Sequence, residues 1–214
     1  MSNQQAFKQG GSSVAIFRLS EDHANVVNAT TNAVISTPAF SDAAIVLKRD
    51  TSKSLVVETS GITYDEAGLP TIAVQTNIAE VISFMKTAAP RKAGAATQAM
   101  DELRDEEGGY TVGGGAATGG IPYLIVHAGP SNGTKRVLSA MIATIKPSSG
   151  SRTHQAGAWL KPTFEAVAVA CKKTGGFVIA QACLDTEKFG TVAAGDRTIP
   201  LDEYIVESFV DLAA

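Results

Sequence analysis

The sequence predicts a mainly β protein, with β-sandwich or barrel-forming sheets and one flanking amphipathic α-helix. Short runs of branched and apolar residues recur along the chain, and several of them alternate with a period close to two. Gly, Asn, Asp, Ser and Pro separate these runs at short intervals, as they do in antiparallel sheets. One clear helix among many strands indicates an all-β or α+β fold, and it does not fit the alternating order of a βαβ protein.

The predicted strands begin near residue 13 and continue to the last third of the chain. Before residue 150 they cover residues 13–19, 43–49, 54–60, 71–75, 123–128 and 136–145. The stretch 136–145 also allows a helical interpretation, because Val137, Ala140, Met141 and Thr144 would share a helix face.

A β-hairpin is predicted at 163–185, "TFEAVAVACKKTGGFVIAQACLD", with its corner at Lys172–Gly176. Alternation along the first arm places alanines on one side, and their small side chains would admit a second layer, either the domain's own helix or a neighbouring subunit. These alanines are Ala166, Ala168 and Ala170. Lys172 and Lys173 at the corner would then lie near the acidic groups of a neighbour or at the face of a ring.

The two cysteines, Cys171 and Cys183, lie on opposite arms of this predicted hairpin. At the rise of a β-strand they would be separated by roughly 16–20 Å, which is too far for a disulfide. We therefore expect two reduced thiols that act as small apolar side chains.

The clearest helix is predicted at 77–89. Asn77 can cap its first turn, and Ile78, Val81 and Met85 fall on one face. Pro90 stops the helix. A weaker helical stretch covers 95–109, and its carboxylates at 101–107 indicate a solvated face. The glycine-rich residues 108–120 predict a mobile loop with no strand, so 92–120 is interpreted as an insertion in a single domain that spans 1–214.

Composition limits the classes of function. The chain has 214 residues, of which 44% are hydrophobic and 18% charged, enough for one domain with its own core. The net charge is −3, so no basic surface for gripping nucleic acid is indicated. The longest apolar runs fall far short of the roughly 18 residues of a membrane span, and the first ten residues lack an apolar signal region. We therefore expect a protein made and assembled in the cytoplasm, with no membrane partner.

One motif suggests an enzyme. Gly129–Gly133, "GPSNG", matches the G-x-S-x-G pattern of a serine hydrolase elbow, with Ser131 as the nucleophile, directly after a predicted strand. The usual chain order of the triad fails, because no acidic residue lies between Ser131 and His154. Asn132-Gly133 is also a favoured pair for a tight hairpin turn. The turn is the preferred interpretation, and a serine hydrolase remains the alternative.

No cofactor or metal site is predicted. The glycine-rich loop fits neither phosphate-binding pattern, the cysteines lack C-x-x-C spacing, and His23, His127 and His154 are widely spaced. The single tryptophan, Trp159, is interpreted as an anchor in a core or an interface. The sequence thus predicts no catalytic, cofactor-binding or metal-binding residues.

The pattern resembles the tail tube, or major tail, proteins of long-tailed bacteriophages. The features behind this resemblance are the many strands with one helix at 77–89, the late stretch 157–182 and the polar segments before residue 13 and after residue 185. The resemblance implies a β-sandwich flanked by a helix, whose copies close into a ring, usually of six, through a continuous inner β-barrel. Rings stack with the help of a long loop and terminal arms, and the segment 186–214 would pack on or between subunits.

The resemblance implies a structural, non-enzymatic role in the virion tail. The partners would be further copies of the chain and other phage tail proteins, with DNA only as passing cargo in an acidic lumen. A tail terminator, a baseplate ring subunit or a capsid decoration protein fits the same pattern.

Overall fold

The computed structural model describes residues 13–48, 52, 57–76, 91–92, 117–118, 121–147 and 163–214. In chain order, the strands are β1 (Ser13–Arg18), β2 (Ile45–Lys48), β3 (Val57–Tyr64), β4 (Pro70–Thr76), β5 (Arg91–Lys92), β6 (Ala117–Thr118), β7 (Pro122–Ser131), β8 (Lys135–Pro147), β9 (Thr163–Ala168), β10 (Phe177–Val178), β11 (Thr198–Ile199) and β12 (Ile205–Asp211). Short 3₁₀ turns occupy Phe40–Asp42, Gln181–Cys183 and Ala194–Arg197. Within these ranges no residue is in an α-helix.

Eight of the strands form one antiparallel sheet, which confirms the prediction of a mainly β protein. Its order is β2-β1-β7-β8-β9-β4-β3, and β12 also pairs with β8. Two small ladders accompany it, one between β10 and β11 and the other between β5 and β6. The central pair, β7 and β8, is a hairpin of long strands rich in branched residues, as expected for the middle of a sheet.

The longest strand, β8, shares one of its edges between two partners. Residues 135–141 pair with β12, and residues 143–147 pair with β9. The chain turns away from β8 just after β9, where Val169 N donates to Ile142 O. The segment after β9 and the segment before β12 then stay connected, because Cys171 N donates to Glu203 O. The sheet therefore branches along β8.

Alternation along the strands divides the buried side chains between two cores. The first core contains Val14, Ile16, Ile45, Leu47, Ile72, Val74, Ile121, Tyr123, Ile125, Met141, Ala143, Ile145, Phe164, Ala166 and Ala168. The second core lies on the other side of β1, β7 and β8, where the segment 171–199 packs against the sheet. It contains Ala15, Phe17, Leu19, Val26, Leu124, Val126, Ala128, Leu138, Ala140, Ile142, Cys171, Phe177, Ile179, Cys183, Leu184, Phe189, Val192, Ile199 and Val210.

The sheet curls around the first core. β3 and β7 are four strands apart in the sheet order, a separation of about 19 Å in a flat sheet. Thr59 Oγ1 of β3 nevertheless lies 3.5 Å from His127 Nε2 of β7. Strong curvature brings these two strands together across the first core.

The predicted hairpin at 163–185 is wrong. Its first arm forms β9, which pairs with β4 on one side and β8 on the other, so neither edge remains for the second arm. The second arm forms only β10, which pairs with β11, and it continues into the 3₁₀ turn Gln181–Cys183. Its apolar side chains pack on the second core instead of along a partner strand.

The alanines of the first arm are a part of the interior. Ala166 and Ala168 are 0% and 2% exposed and belong to the first core, and Ala170 is half-buried. Of the two alternatives for the layer on this side, the chain itself covers Ala166 and Ala168, and no neighbouring subunit is needed. Their small size serves packing within the chain, opposite residues such as Ala143, which pairs with Ala168.

Several sequence predictions lie outside the described residues. They are the helix at 77–89, the helical stretch at 95–109, His154 and Trp159. Two short pieces near the ends of the predicted insertion are described, and they pair with each other as β5 and β6. The prediction that 108–120 holds no strand is thus wrong at Ala117–Thr118, which lies in a short glycine-free stretch of this segment.

Candidate functional site

Gly129–Gly133 forms the end of β7 and the turn into β8. Asn132 N donates to Lys135 O at 3.0 Å, and Asn132 Oδ1 accepts from Thr134 N at 3.1 Å and Lys135 N at 2.8 Å. Gly133 has a φ of 96°, whereas Asn132 does not have a positive φ. The predicted hairpin turn is confirmed, with glycine alone in the left-handed region.

A nucleophile elbow requires a helix after the serine, and this chain has a strand there. Residues 135–147 form β8, so the helical interpretation of 136–145 is wrong. Ser131 pairs with Arg136 at the end of the β7–β8 ladder. The candidate partner His154 lies outside the described residues. The geometry around Ser131 therefore gives no support to the hydrolase interpretation.

The remaining candidate ligands do not converge on a metal centre. In the parts of the chain that the structure describes, no group of three or more His, Cys, Asp and Glu side chains could hold a metal ion.

Cys171 and Cys183 are free and buried. Cys183 Sγ donates to Pro38 O at 3.3 Å, and burial raises the pKa of its thiol to about 11. The expected distance between the two cysteines does not apply, because it depended on a hairpin that the chain does not form.

A row of four polar side chains crosses the sheet on the side of the first core. We call Thr59, His127, Ser139 and Glu207 the polar row. Ser139 is directly opposite His127 on one side and Glu207 on the other. Ser139 Oγ donates to Glu207 Oε1 at 2.8 Å, and Thr59 Oγ1 lies 3.5 Å from His127 Nε2.

The polar row contains serine, histidine and glutamate, but its order is unsuited to nucleophilic catalysis. A serine nucleophile gives its proton to a histidine that a carboxylate orients. Here Ser139 lies in the middle, is 3% exposed and donates to the carboxylate of Glu207. The pKa of His127 falls to about 4, first because it is buried and second because Arg136 is nearby. The row instead connects β12 to the body of the sheet.

Sequence reasoning missed the polar row because its members come from four separate strands. His127 drew notice only as one of three scattered histidines, and Ser139 and Glu207 carried no motif. Their register opposite His127 depends on the pairing of β8 with both β7 and β12. No spacing within the sequence encodes this pairing.

A second polar cluster fixes the C-terminal part of the chain to the first two strands. Asp185 is 3% exposed, and its carboxylate accepts from Ser13 Oγ at 2.9 Å and from Glu187 N at 3.1 Å. Lys48 Nζ lies 3.3 Å from Asp185 and 3.1 Å from Glu187. We call Ser13, Lys48, Asp185 and Glu187 the clasp.

The edges of the large sheet offer the best candidate for an interaction surface. Within the described ranges, β2, β3 and β12 each form a ladder with one other strand, and Asp211 O of β12 also accepts from Gly190 N at 3.0 Å. Two of these edge strands, β3 and β12, carry an exposed aromatic side chain, Tyr64 at 64% and Phe209 at 62%. Edge strands with exposed apolar residues are templates for pairing with another chain.

The basic corner contacts its own chain. Lys172 Nζ donates to Glu21 O at 3.4 Å, and Lys173 Nζ lies 5.1 Å from the centre of the Phe177 ring. Both lysines keep some solvent exposure. The corner is thus held by contacts with its own chain, one of them to the distant turn at Glu21.

Comparison of the chain with protein-family models, with curated protein sequences and with solved structures found no match. In the described portion of the chain, no helix is long and apolar enough to cross a membrane.

Proposed function

We propose that this chain is a structural virion subunit that self-assembles into stacked rings and forms a phage tail tube for the passage of DNA. The resemblance to tail tube proteins implies six copies in each ring. Its partners are further copies of itself and other tail proteins, and it is not an enzyme. The observation that carries the proposal is the exposed aromatic side chain on each of two edge strands, Tyr64 on β3 and Phe209 on β12.

In a head-to-tail ring, one surface of each subunit binds a different surface of the next subunit, and the ring closes when the rotation between copies permits it. Each subunit therefore needs two different contact surfaces. The strands β3 and β12 lie at different places in the sheet, one at the end of its order and one beside β8. Pairing the edge of one copy with the other edge of the next would bond backbone groups that an isolated subunit leaves to water.

The curvature of the sheet supports the finer part of the proposal. The sheet brings β3 within a side-chain contact of β7, and this curvature supports the proposal that it contributes to a barrel. Strands added by neighbouring copies would continue this curvature into a closed inner surface. A flanking helix at 77–89 would complete the tail-tube arrangement.

The charge of the chain fits a conduit for DNA. The net charge is −3, and the exposed residues of β12 include Glu207 and Asp211. Like charge between a lumen and the phosphate backbone prevents adhesion, which otherwise grows with each lysine or arginine in contact. DNA would then pass without being specifically bound.

Electron microscopy of negatively stained protein, together with sedimentation velocity across a range of concentrations, tests the proposal. Rings or tubes are expected for the wild-type chain, and Tyr64→Ser or Phe209→Ser should weaken assembly. Val34→Ser is the matched control, because Val34 is 59% exposed but lies in the connection between β1 and β2. Circular dichroism verifies that each variant is folded.

A wild-type chain that stays monomeric at high concentration, with and without candidate tail proteins, would contradict the proposal. Equal loss of assembly in the Val34→Ser control would show that strand edges are not the contact surface. Labelling of Ser131 by a fluorophosphonate probe would favour the serine hydrolase instead. Other virion ring or decoration proteins would be distinguished by the shape of the assemblies.

A further inference from the structure

A buried histidine lies in the turn that follows β1, apart from the polar row and the clasp. His23 is 2% exposed and has a φ of 58°, in the left-handed region that few residues other than glycine adopt. The turn around it is fixed by its own hydrogen bonds. His23 N donates to Ser20 O at 2.9 Å, and Ser20 N donates to Asn25 O at 3.0 Å.

The ring of His23 accepts a hydrogen bond from a distant part of the chain. Lys172 N donates to His23 Nδ1 at 3.3 Å, across 149 residues of sequence. An acceptor nitrogen has an available lone pair, so His23 is neutral and its ring proton is on Nε2. Lys172 Nζ donates to Glu21 O in the same turn, so two contacts join the turn 20–25 to Lys172.

In the segment that follows Lys172, Gly176 N donates to Lys173 O at 2.9 Å. Cys171 is held from the other side, because Cys171 N donates to Glu203 O and Asp202 N donates to Cys171 O, each at 2.9 Å. Beyond it, the chain turns through Gly175 and Gly176, both with positive φ, before β10 begins. Cys171 and β10 thus anchor the two ends of the corner 172–176, and the contacts at Lys172 join its first residue to the turn 20–25.

We propose that His23 is a pH-sensitive latch, which in its neutral form holds the corner 172–176 against the turn 20–25 and on protonation releases it. The added proton binds to Nδ1, so this nitrogen becomes a donor that faces the Lys172 N–H. The hydrogen bond is lost, and a buried positive charge is created near the Lys172 ammonium group. This inference concerns the fold of one chain and goes beyond the proposed assembly.

Burial and the charged groups around His23 together determine the direction of the response. Burial lowers its pKa most, and the positive charge of Lys172 lowers it further. Asp22 and the backbone of Ala170 act in the opposite sense, but more weakly. The Asp22 carboxylate also accepts from Ser20 Oγ at 2.6 Å and Ala24 N at 3.0 Å, so it is engaged within the turn.

Because its pKa is depressed in the closed state, His23 stabilises that state fully above its ordinary value of 6.5. This contribution is lost as the pH falls below 6.5 and through the depressed pKa of the closed state. Uptake of one proton on opening increases the opening constant by at most about tenfold per pH unit within this window.

Amide hydrogen exchange of the full chain, followed by mass spectrometry and corrected for intrinsic exchange, tests the latch. Protection of residues 20–25 and 172–176 should fall by up to about tenfold per pH unit below 6.5. His23→Asn is the matched control, because asparagine tolerates positive φ and its Oδ1 can accept from Lys172 N without titrating. The variant should show no such fall, and an equal fall in both proteins would overturn the proposal.

A second measurement needs no variant. The ring signals of His23 can be followed by NMR against pH in the wild-type chain and assigned through their proximity to the Lys172 amide. The latch requires His23 to titrate below 6.5, with the Lys172 amide signal moving over the same range. A His23 that titrates at or above 6.5, or a Lys172 amide that does not respond, would overturn the latch even if His23→Asn failed to fold.

Discussion

Ser13 and Asp185 are 172 residues apart in the sequence, and Ser13 Oγ donates a hydrogen bond of 2.9 Å to Asp185 Oδ2 in the folded chain. Both residues are buried, and Lys48 Nζ lies 3.3 Å from the same carboxylate. This clasp joins β1 and β2 to the segment that covers the second core.

Replacing Asp185 with alanine should destabilise the chain by about 2–4 kcal/mol. Without the Asp185 carboxylate, the buried Ser13 hydroxyl has no acceptor and Lys48 loses its buried partner. Removing one partner of a buried hydrogen bond or ion pair lowers the free energy of unfolding. Urea unfolding monitored by circular dichroism gives the free energy of unfolding.

Glu187→Ala is the control for the clasp. Its side chain is 69% exposed and contacts the same Lys48, so its loss should cost less than about 1 kcal/mol. Equal destabilisation by the two variants would show that burial of the carboxylate does not determine the strength of the clasp.

Asn132→Ala should destabilise the β7–β8 hairpin by about 1–2 kcal/mol. Its Oδ1 accepts from Thr134 N, Thr134 Oγ1 and Lys135 N, and alanine leaves these donors to water or unpaired. Ser131→Ala in the same turn should change stability by less than about 0.5 kcal/mol, as surface substitutions usually do. Thermal unfolding compares the two variants, and a larger loss in Ser131→Ala would contradict the prediction.

The sequence predicted most strands of the large sheet because each has a local signal. Alternation and branched residues marked the positions of β1, β2, β4, β7 and β8, and the Asn132-Gly133 pair marked the β7–β8 turn. Pairing between distant strands has no such signal. The predicted hairpin at 163–185 is wrong because β4 and β8 occupy both edges of β9. The sequence of neither arm indicates this pairing.

The polar row and β12 were missed for a related reason. β12 carries the polar residues Glu207, Ser208 and Asp211 among its apolar ones, so its sequence was interpreted as a polar arm. Only its register on β8 shows that Glu207 faces Ser139 and that Val210 belongs to the second core. Side-chain contacts between four strands depend on register, which the sequence leaves open.

The stability of the chain should fall in acid partly because of His127. It is buried in its neutral form, and its pKa is lowered from 6.5 to about 4. Its contribution is complete above pH 6.5 and is lost as the pH falls through 4, with a total of at most roughly 3 kcal/mol. Urea unfolding at a series of pH values should show this loss relative to His127→Gln, which cannot titrate. Parallel curves for the two proteins would contradict the assignment.

A larger side chain at Ala166 should destabilise the fold of the single chain. Ala166 is fully buried in the first core between β4 and β8, where it pairs with Ile72 and Ile145. Ala166→Leu should cost about 1–3 kcal/mol through overpacking. Glu165→Ala, on the exposed side of the same strand, should stay within about 0.5 kcal/mol. If Ala166→Leu impaired assembly but left urea unfolding unchanged, this alanine would lie at an interface.

Both cysteine thiols should resist modification in the folded chain. Cys171 is 0% exposed and Cys183 is 1% exposed, and burial raises the pKa of the Cys183 thiol to about 11, so little reactive thiolate exists near neutral pH. Reaction with a disulfide reagent should be slow in buffer and fast in urea, with both thiols accessible only after unfolding. Cys183→Ser should preserve the fold, since serine can donate to Pro38 O as the thiol does. A covalent dimer on a non-reducing gel, or rapid labelling of the native chain, would show that at least one thiol reaches the surface and can crosslink copies.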